Sequence, residues 1–155
     1  MRRTPLLATA VVALTIAGCG GEASNQALSY SDFGEETNAI CSEQIPALEA
    51  LAGDLTGQAS QDASTLADAA AKTKSFIEDI QDLAPPAELE DAVRQRNALL
   101  NEQYADLVKQ QELAEAGDQQ AYKAYLTAPE NQRKESALSE AGAEASSKLG
   151  AGDCI

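Results

Sequence analysis

Between residues 66 and 83, Leu66, Ala69, Ala70, Thr73, Phe76, Ile77, Ile80 and Leu83 recur at spacings of three and four, and Ala84-Pro85-Pro86 ends the run. An α-helix puts all eight on one face, whereas a strand would scatter them over two. The prolines account for the stop. A residue before proline is pushed out of helical conformation, while proline itself is tolerated in the first turn of a following helix. A one-sided apolar helix must be covered by other elements, so the flanking sequence decides what covers it.

Three further helical patterns flank it. Before it, Ser29 with Asp32 three residues on forms a capping arrangement, and Phe33, Ile40, Leu48 and Leu51, with Cys41 and Gln44 between, share a face as far as Gly53. Pro46 is expected to kink that helix. After the prolines, Leu89, Val93, Leu100, Tyr104, Leu107 and Val108 give a third face that ends at Gly117. Asp118 then caps a fourth segment, led by Ala121, Tyr122, Tyr125 and Leu126 and completed by Leu138, Ala141, Ala145 and Leu149, with Pro129 as a kink or short break. Ala, Leu, Glu and Gln dominate and β-branched residues are sparse, which favours helix throughout. Four helices joined by short turns predict an all-α fold, an up-down-up-down four-helix bundle over residues 29–155.

The N-terminus has a different grammar. Arg2 and Arg3 precede an 11-residue apolar run from Leu6 to Ile16, then Ala17 and Gly18. This is the layout of a secretion signal, and the run falls short of the roughly 20 residues a permanent transmembrane helix needs. Ile16-Ala17-Gly18-Cys19 resembles the lipobox of bacterial lipoprotein precursors, with isoleucine where leucine is commoner. The resemblance implies removal of residues 1–18 as a lipoprotein signal peptide and lipidation of Cys19, palmitate being a usual acyl group. Two or more acyl chains suffice for stable anchoring, at about 0.8 kcal/mol per buried methylene. Residues 19–28, small and polar, then read as the lipidated cysteine and a flexible tether, with an end-to-end distance of about 16 Å for nine coil residues.

Lipidation also resolves the cysteine count. The chain has three cysteines, and with Cys19 acylated the remaining Cys41 and Cys154 form an even pair in an oxidising compartment. In an up-down-up-down bundle the end of the fourth helix lies beside the start of the first, so a Cys41–Cys154 disulfide and the predicted topology agree. The mature chain further resembles small helical actinobacterial lipoproteins, through "LSYSDFGEETNAICSEQ" at 28–44, "PPAELEDAV" at 85–93, "AGD" at 116–118 and "KLGAGDC" at 148–154. That likeness implies a helical domain closed by two bracketing cysteines and carries no known activity.

Charge and residue inventory then exclude several function classes. Lys and Arg total 11 against 25 Asp and Glu, a net charge of −14, which disfavours nucleic acid as a partner. Nine carboxylates and no base lie between Cys19 and Ala71, and the simplest reading is a solvated face. There is no histidine, which removes Ser-His and Cys-His nucleophile pairs and the commonest metal ligand. Glu78 and Asp82 share a helix face, but no glycine-centred loop of oxygen ligands accompanies them, so no metal site and no cofactor is expected. Tyr104, Tyr122 and Tyr125 stand at helical spacing as core or boundary residues, with a ligand pocket between helices as the alternative.

The expectation from sequence is therefore a non-enzymatic lipoprotein at the extracytoplasmic face of a cell membrane, acting as an interaction or structural module toward an envelope protein. The alternative is a binding protein for a small apolar or cationic ligand held between the helices.

Overall fold

Ser29 starts the first helix as the capping pattern predicts: its hydroxyl oxygen accepts from the Asp32 amide at 3.2 Å and donates to Asp32 Oδ2 at 2.6 Å. Such a cap is worth about 1 kcal/mol. Helix α1 then spans Tyr30–Gly53 and runs on through Pro46. Helix α2 spans Ala59–Gln81, a 3-10 turn over Ala87–Leu89 leads into α3 at Glu90–Glu115, α4 covers Gln119–Thr127 and α5 covers Pro129–Lys148, with a last 3-10 turn at Gly152–Cys154. These elements belong to a computed structural model that describes residues 27–154. Among the described residues there is no strand, and no helix is long and apolar enough to cross a membrane. The chain is all-α. The predicted signal, Cys19 and most of the tether lie outside the described residues.

The predicted fourth helix is two helices. Ala128 has φ −63° and ψ 124°, the extended conformation that a residue before proline adopts, and Pro129 sits in the first turn of α5. The joint is sealed from the α5 side: Asn131 Nδ2 donates to the Tyr125 carbonyl at 2.9 Å and Gln132 Nε2 to the Leu126 carbonyl at 3.4 Å. The Tyr125 carbonyl, which also accepts from the Ala128 amide at 3.4 Å, and the Leu126 carbonyl thus find donors in the next helix. Gly117 and Gly150, at φ +68°, supply the left-handed turns after α3 and α5 that other residues adopt at a cost.

Contacts order the helices as α1 on α2, α2 on α3, and α3 on both α4 and α5. Helix α5 reaches α1 chiefly at one end. There Gly34 of α1 lies so near the chain that a Cβ would stand 3.4 Å from the Leu149 and Gly150 carbonyl oxygens. Asn38 Nδ2 donates to the Gly150 carbonyl at 3.1 Å, the Tyr30 hydroxyl to the Lys148 carbonyl at 3.2 Å, and a Cys41–Cys154 disulfide locks the same contact.

The apolar core is stacked in three groups. One end holds Phe33, Leu89, Val93, Leu149 and Ala151, with Leu28 and Leu83 packed against them. The middle holds Cys41, Phe76, Ile77 and Ile80, and Cys154 touches both groups. The far end holds Ala59, Leu66, Ala114 and Tyr122. Leu28 is already docked: its amide donates to the Ala84 carbonyl at 3.0 Å and its side chain packs beside Phe33. The first described residues therefore enter the domain at the Phe33 end.

Candidate functional site

Among the described residues two ionised side chains are buried, one at each end of the core, and they are treated differently. Asp62, in the first turn of α2, is 1 % exposed. Its carboxylate accepts from the Thr56 amide (2.8 Å), the Thr56 hydroxyl (2.7 Å), the Gly57 amide (2.8 Å) and the Tyr122 hydroxyl (2.9 Å). Burial alone would raise its pKa, but the hydrogen bonds from Thr56, Tyr122 and Gly57 together outweigh it and hold the group below its ordinary value. Tyr122 responds in the opposite sense: burial first, then the bond to Asp62 and its charge, push the phenol up to about 12.

The same corner is closed by Gln119. Its Oε1 accepts from the Ala59 amide at 2.8 Å and its Nε2 donates to the Gly57 carbonyl at 3.0 Å. Gln58, at the N-cap of α2, makes no side-chain cap bond, so α4 supplies from 60 residues away the cap that α2 lacks locally. The bonds from Thr56 and Gly57 to Asp62 tie the α1–α2 turn to the start of α2, and those of Gln119 and Tyr122 hold α4 against both. That is architecture.

Arg96 sits in α3 and is 4 % exposed. Its guanidinium lies 5.7 Å from the centroid of the Phe33 ring. Its Nε and Nη2 reach Asn97 Oδ1 at 3.4 and 3.3 Å, both long, and Nη1 has no hydrogen-bond partner among the described residues. None of the ion pairs among the described residues includes it. Burial pulls its pKa down to about 10, which leaves it a cation at neutral pH. The other buried side-chain atom without a partner there is Thr37 Oγ1, on the face of α1 between Phe33 and Cys41. Unmade hydrogen bonds thus gather at the Phe33 end, whereas the Asp62 corner leaves none.

Arg96 also lines a cleft of about 230 Å³. Ile45 of α1 and Phe76 and Ile80 of α2 form its floor, with Leu99 and Leu100 of α3 beside Arg96. The α5 wall is Ser139, Gly142, Ala143 and Ser146, side chains too small to fill the gap that α5 leaves along α1, and Cys154 completes it. Among the described residues no Asp or Glu lines this cleft. A second, more polar groove of about 350 Å³ shares Gln103 and Ser139 with it and carries Asp106 and Glu135.

The three tyrosines singled out by spacing occupy different places. Tyr104 packs, half-buried, on the middle group. Tyr122 is fully buried at the Asp62 corner. The Tyr125 hydroxyl donates to Asp106 Oδ1 at 2.6 Å, and burial, then that bond and the Asp106 charge, raise it to about 12. Of the nine carboxylates of the acidic N-terminal half, Asp62 is not on the solvated face. No group of three or more Cys, Asp or Glu side chains is gathered at one point among the described residues. Arg96 carried a signal in the sequence: it falls three residues after Val93 and four before Leu100, on the apolar face of α3. No protein-family model, no curated protein and no solved structure matches the chain.

Proposed function

We propose that the chain is a lipid-anchored, non-catalytic interaction module of a bacterial envelope, held through Cys19 at the extracytoplasmic face of a membrane. In this reading residues 1–18 are removed, 19–28 are the tether, and α4 with α5 together make the fourth rod of an up-down-up-down four-helix bundle. The observation that carries it is the docking of Leu28, bonded to the Ala84 carbonyl and packed beside Phe33. A tether that stops at Leu28 gives the acyl chains a fixed pole to hold. It turns the Phe33 end toward the membrane and offers the acidic helix faces and the Asp62 corner to a partner. Nine residues of coil, reaching about 16 Å, lift that pole just clear of the headgroups.

Metabolic labelling with a fatty acid tests the anchor. Label is expected on the wild type and absent from Cys19→Ser, and equal labelling of both removes the anchor. Crosslinking in cells then identifies the partner. The second reading, a small ligand held between the helices, is favoured by one observation: the cleft beside Arg96, whose Nη1 has no hydrogen-bond partner among the described residues.

A further inference from the structure

We infer that the cleft between α3 and α5 is a binding site for a short aliphatic monocarboxylate, with the carboxylate on Arg96 and the alkyl chain along Ile45, Phe76, Ile80 and Leu100. The inference rests on the second reading above and is independent of the lipid anchor. Three observations converge on it.

The first is the cation. A guanidinium that is 4 % exposed, with long bonds to a single neutral acceptor and with Nη1 unpartnered, is a charge that none of the described residues neutralises. Guanidinium presents a planar fork of donors matched to a carboxylate, so the complementary group is an anion of that shape. The second is the wall. Among the described residues no acidic side chain lines this cleft, and the adjoining groove carries Asp106 and Glu135. An anion is therefore accepted at the Arg96 end and repelled beyond it, which orients the ligand head. A cationic ligand would meet Arg96 with no carboxylate beside it among the described residues.

The third is size. At roughly 30 Å³ for each water-sized group, about 230 Å³ holds about eight non-hydrogen atoms, the number in hexanoate. The cleft lies below the range of drug-sized sites, so a larger ligand would project into solvent or into the polar groove. The apolar lining also argues against acetate or inorganic anions as the preferred occupant, since they would leave the side chains of Ile45, Phe76 and Leu100 uncovered.

The test is a titration of the purified full chain with hexanoate, hexanol and acetate, followed by calorimetry and by thermal unfolding. Hexanoate is expected to bind about tenfold or more tighter than hexanol or acetate, the factor for one hydrogen-bonded charge contact, and to raise the unfolding temperature. Arg96→Met keeps the apolar stem and removes the charge, so hexanoate should then bind no better than hexanol. Gly142→Leu fills the cleft without touching Arg96, and a Cβ there meets nothing within 4 Å, so this variant should fold and bind neither ligand. Hexanol binding as well as hexanoate to the wild type would overturn the carboxylate assignment while leaving a ligand cleft. Failure of all three to bind would overturn the ligand reading as well. Hexanoate binding undiminished in Gly142→Leu would place the anion elsewhere and overturn the site.

Discussion

The Asp62 corner and the Arg96 cleft each bury one charge, and only the corner supplies the bonds that a buried charge needs. Asp62 receives four donors from three residues, and its carboxylate organises the α1–α2 turn, the start of α2 and the buried end of α4. Arg96 receives an aromatic face and one stretched amide oxygen. A charge whose bonds are all made stabilises the fold, and removing it leaves orphaned donors. A charge whose bonds are unmade costs the fold its desolvation, and removing it relieves that cost. The sign of a substitution at each position therefore separates a residue kept for the structure from one the structure tolerates for another reason.

The largest expected effect tests whether the two ends are separable at all. Cys154 touches both the Phe33 group and the middle group, and the disulfide closes a sequence separation of 113 residues. By chain entropy a loop of that length is worth about 4 to 5 kcal/mol. Reduction, or Cys41→Ser, should lower stability by about that amount in urea denaturation. Hydrogen exchange should then quicken in the first turns of α1 and the last turn of α5, while amides bonded around Asp62 keep their protection. Equal loss of protection at both ends would make them one cooperative unit and break the comparison.

The next effect is at the corner itself. Asp62→Ala strands the Thr56 and Gly57 amides and the Tyr122 hydroxyl, and should cost about 3 kcal/mol. The pH profile has two flanks. The folded carboxyl has a pKa below its ordinary 3.8, so its contribution is complete above about pH 4 and is lost as pH falls through the folded value. The Tyr122 phenol is raised from 10.0 to about 12, so its contribution is complete below pH 10 and is lost between 10 and about 12. Denaturation midpoints measured across pH should lose the acid flank in Asp62→Asn. An unchanged acid flank would assign acid unfolding to other carboxylates.

The same contrast explains what was legible in the sequence. Helix positions followed from short-range chemistry: Ser29 and Asp118 cap through their own side chains, Pro85-Pro86 separates α2 from the turn before α3, and Gly117 takes positive φ. The break at Ala128 was visible in Pro129, whose effect on its predecessor is local. The pairing of Cys41 with Cys154 follows once Cys19 is set apart by the resemblance of Ile16-Ala17-Gly18-Cys19 to a lipobox. The buried charges were not legible in the same way. Asp62 looks like any acidic residue until Thr56, Gly57 and a tyrosine 60 residues away converge on it, and that convergence is tertiary. Arg96 stood in plain register with Val93 and Leu100, but long basic side chains usually lift their charge to solvent, and whether one does depends on what α1 and α5 place around it. Tyr104, Tyr122 and Tyr125 share a spacing and yet serve three different contacts, because spacing fixes a face and not a depth.

The smallest expected effect carries the opposite sign from the others. Arg96→Met keeps a long flexible stem against Phe33 and Ile80 and deletes a charge that meets no carboxylate among the described residues. The loss of a partly favourable contact with the Phe33 ring, about 1 kcal/mol, sets itself against relief of a larger desolvation cost. Stability should rise by about 1 to 3 kcal/mol in urea denaturation. Because Arg96, even pulled down to about 10, stays charged through the neutral range, the gain should be flat from pH 5 to 8. A loss of stability would mean that the ring and Asn97 satisfy the cation after all, and the two ends would then differ only in geometry. A gain that changed with pH near 4 would expose a carboxylate acting on Arg96. A flat gain leaves a fold that is more stable without its own arginine, and such a residue is held in place by something other than folding, which is the condition a binding site meets.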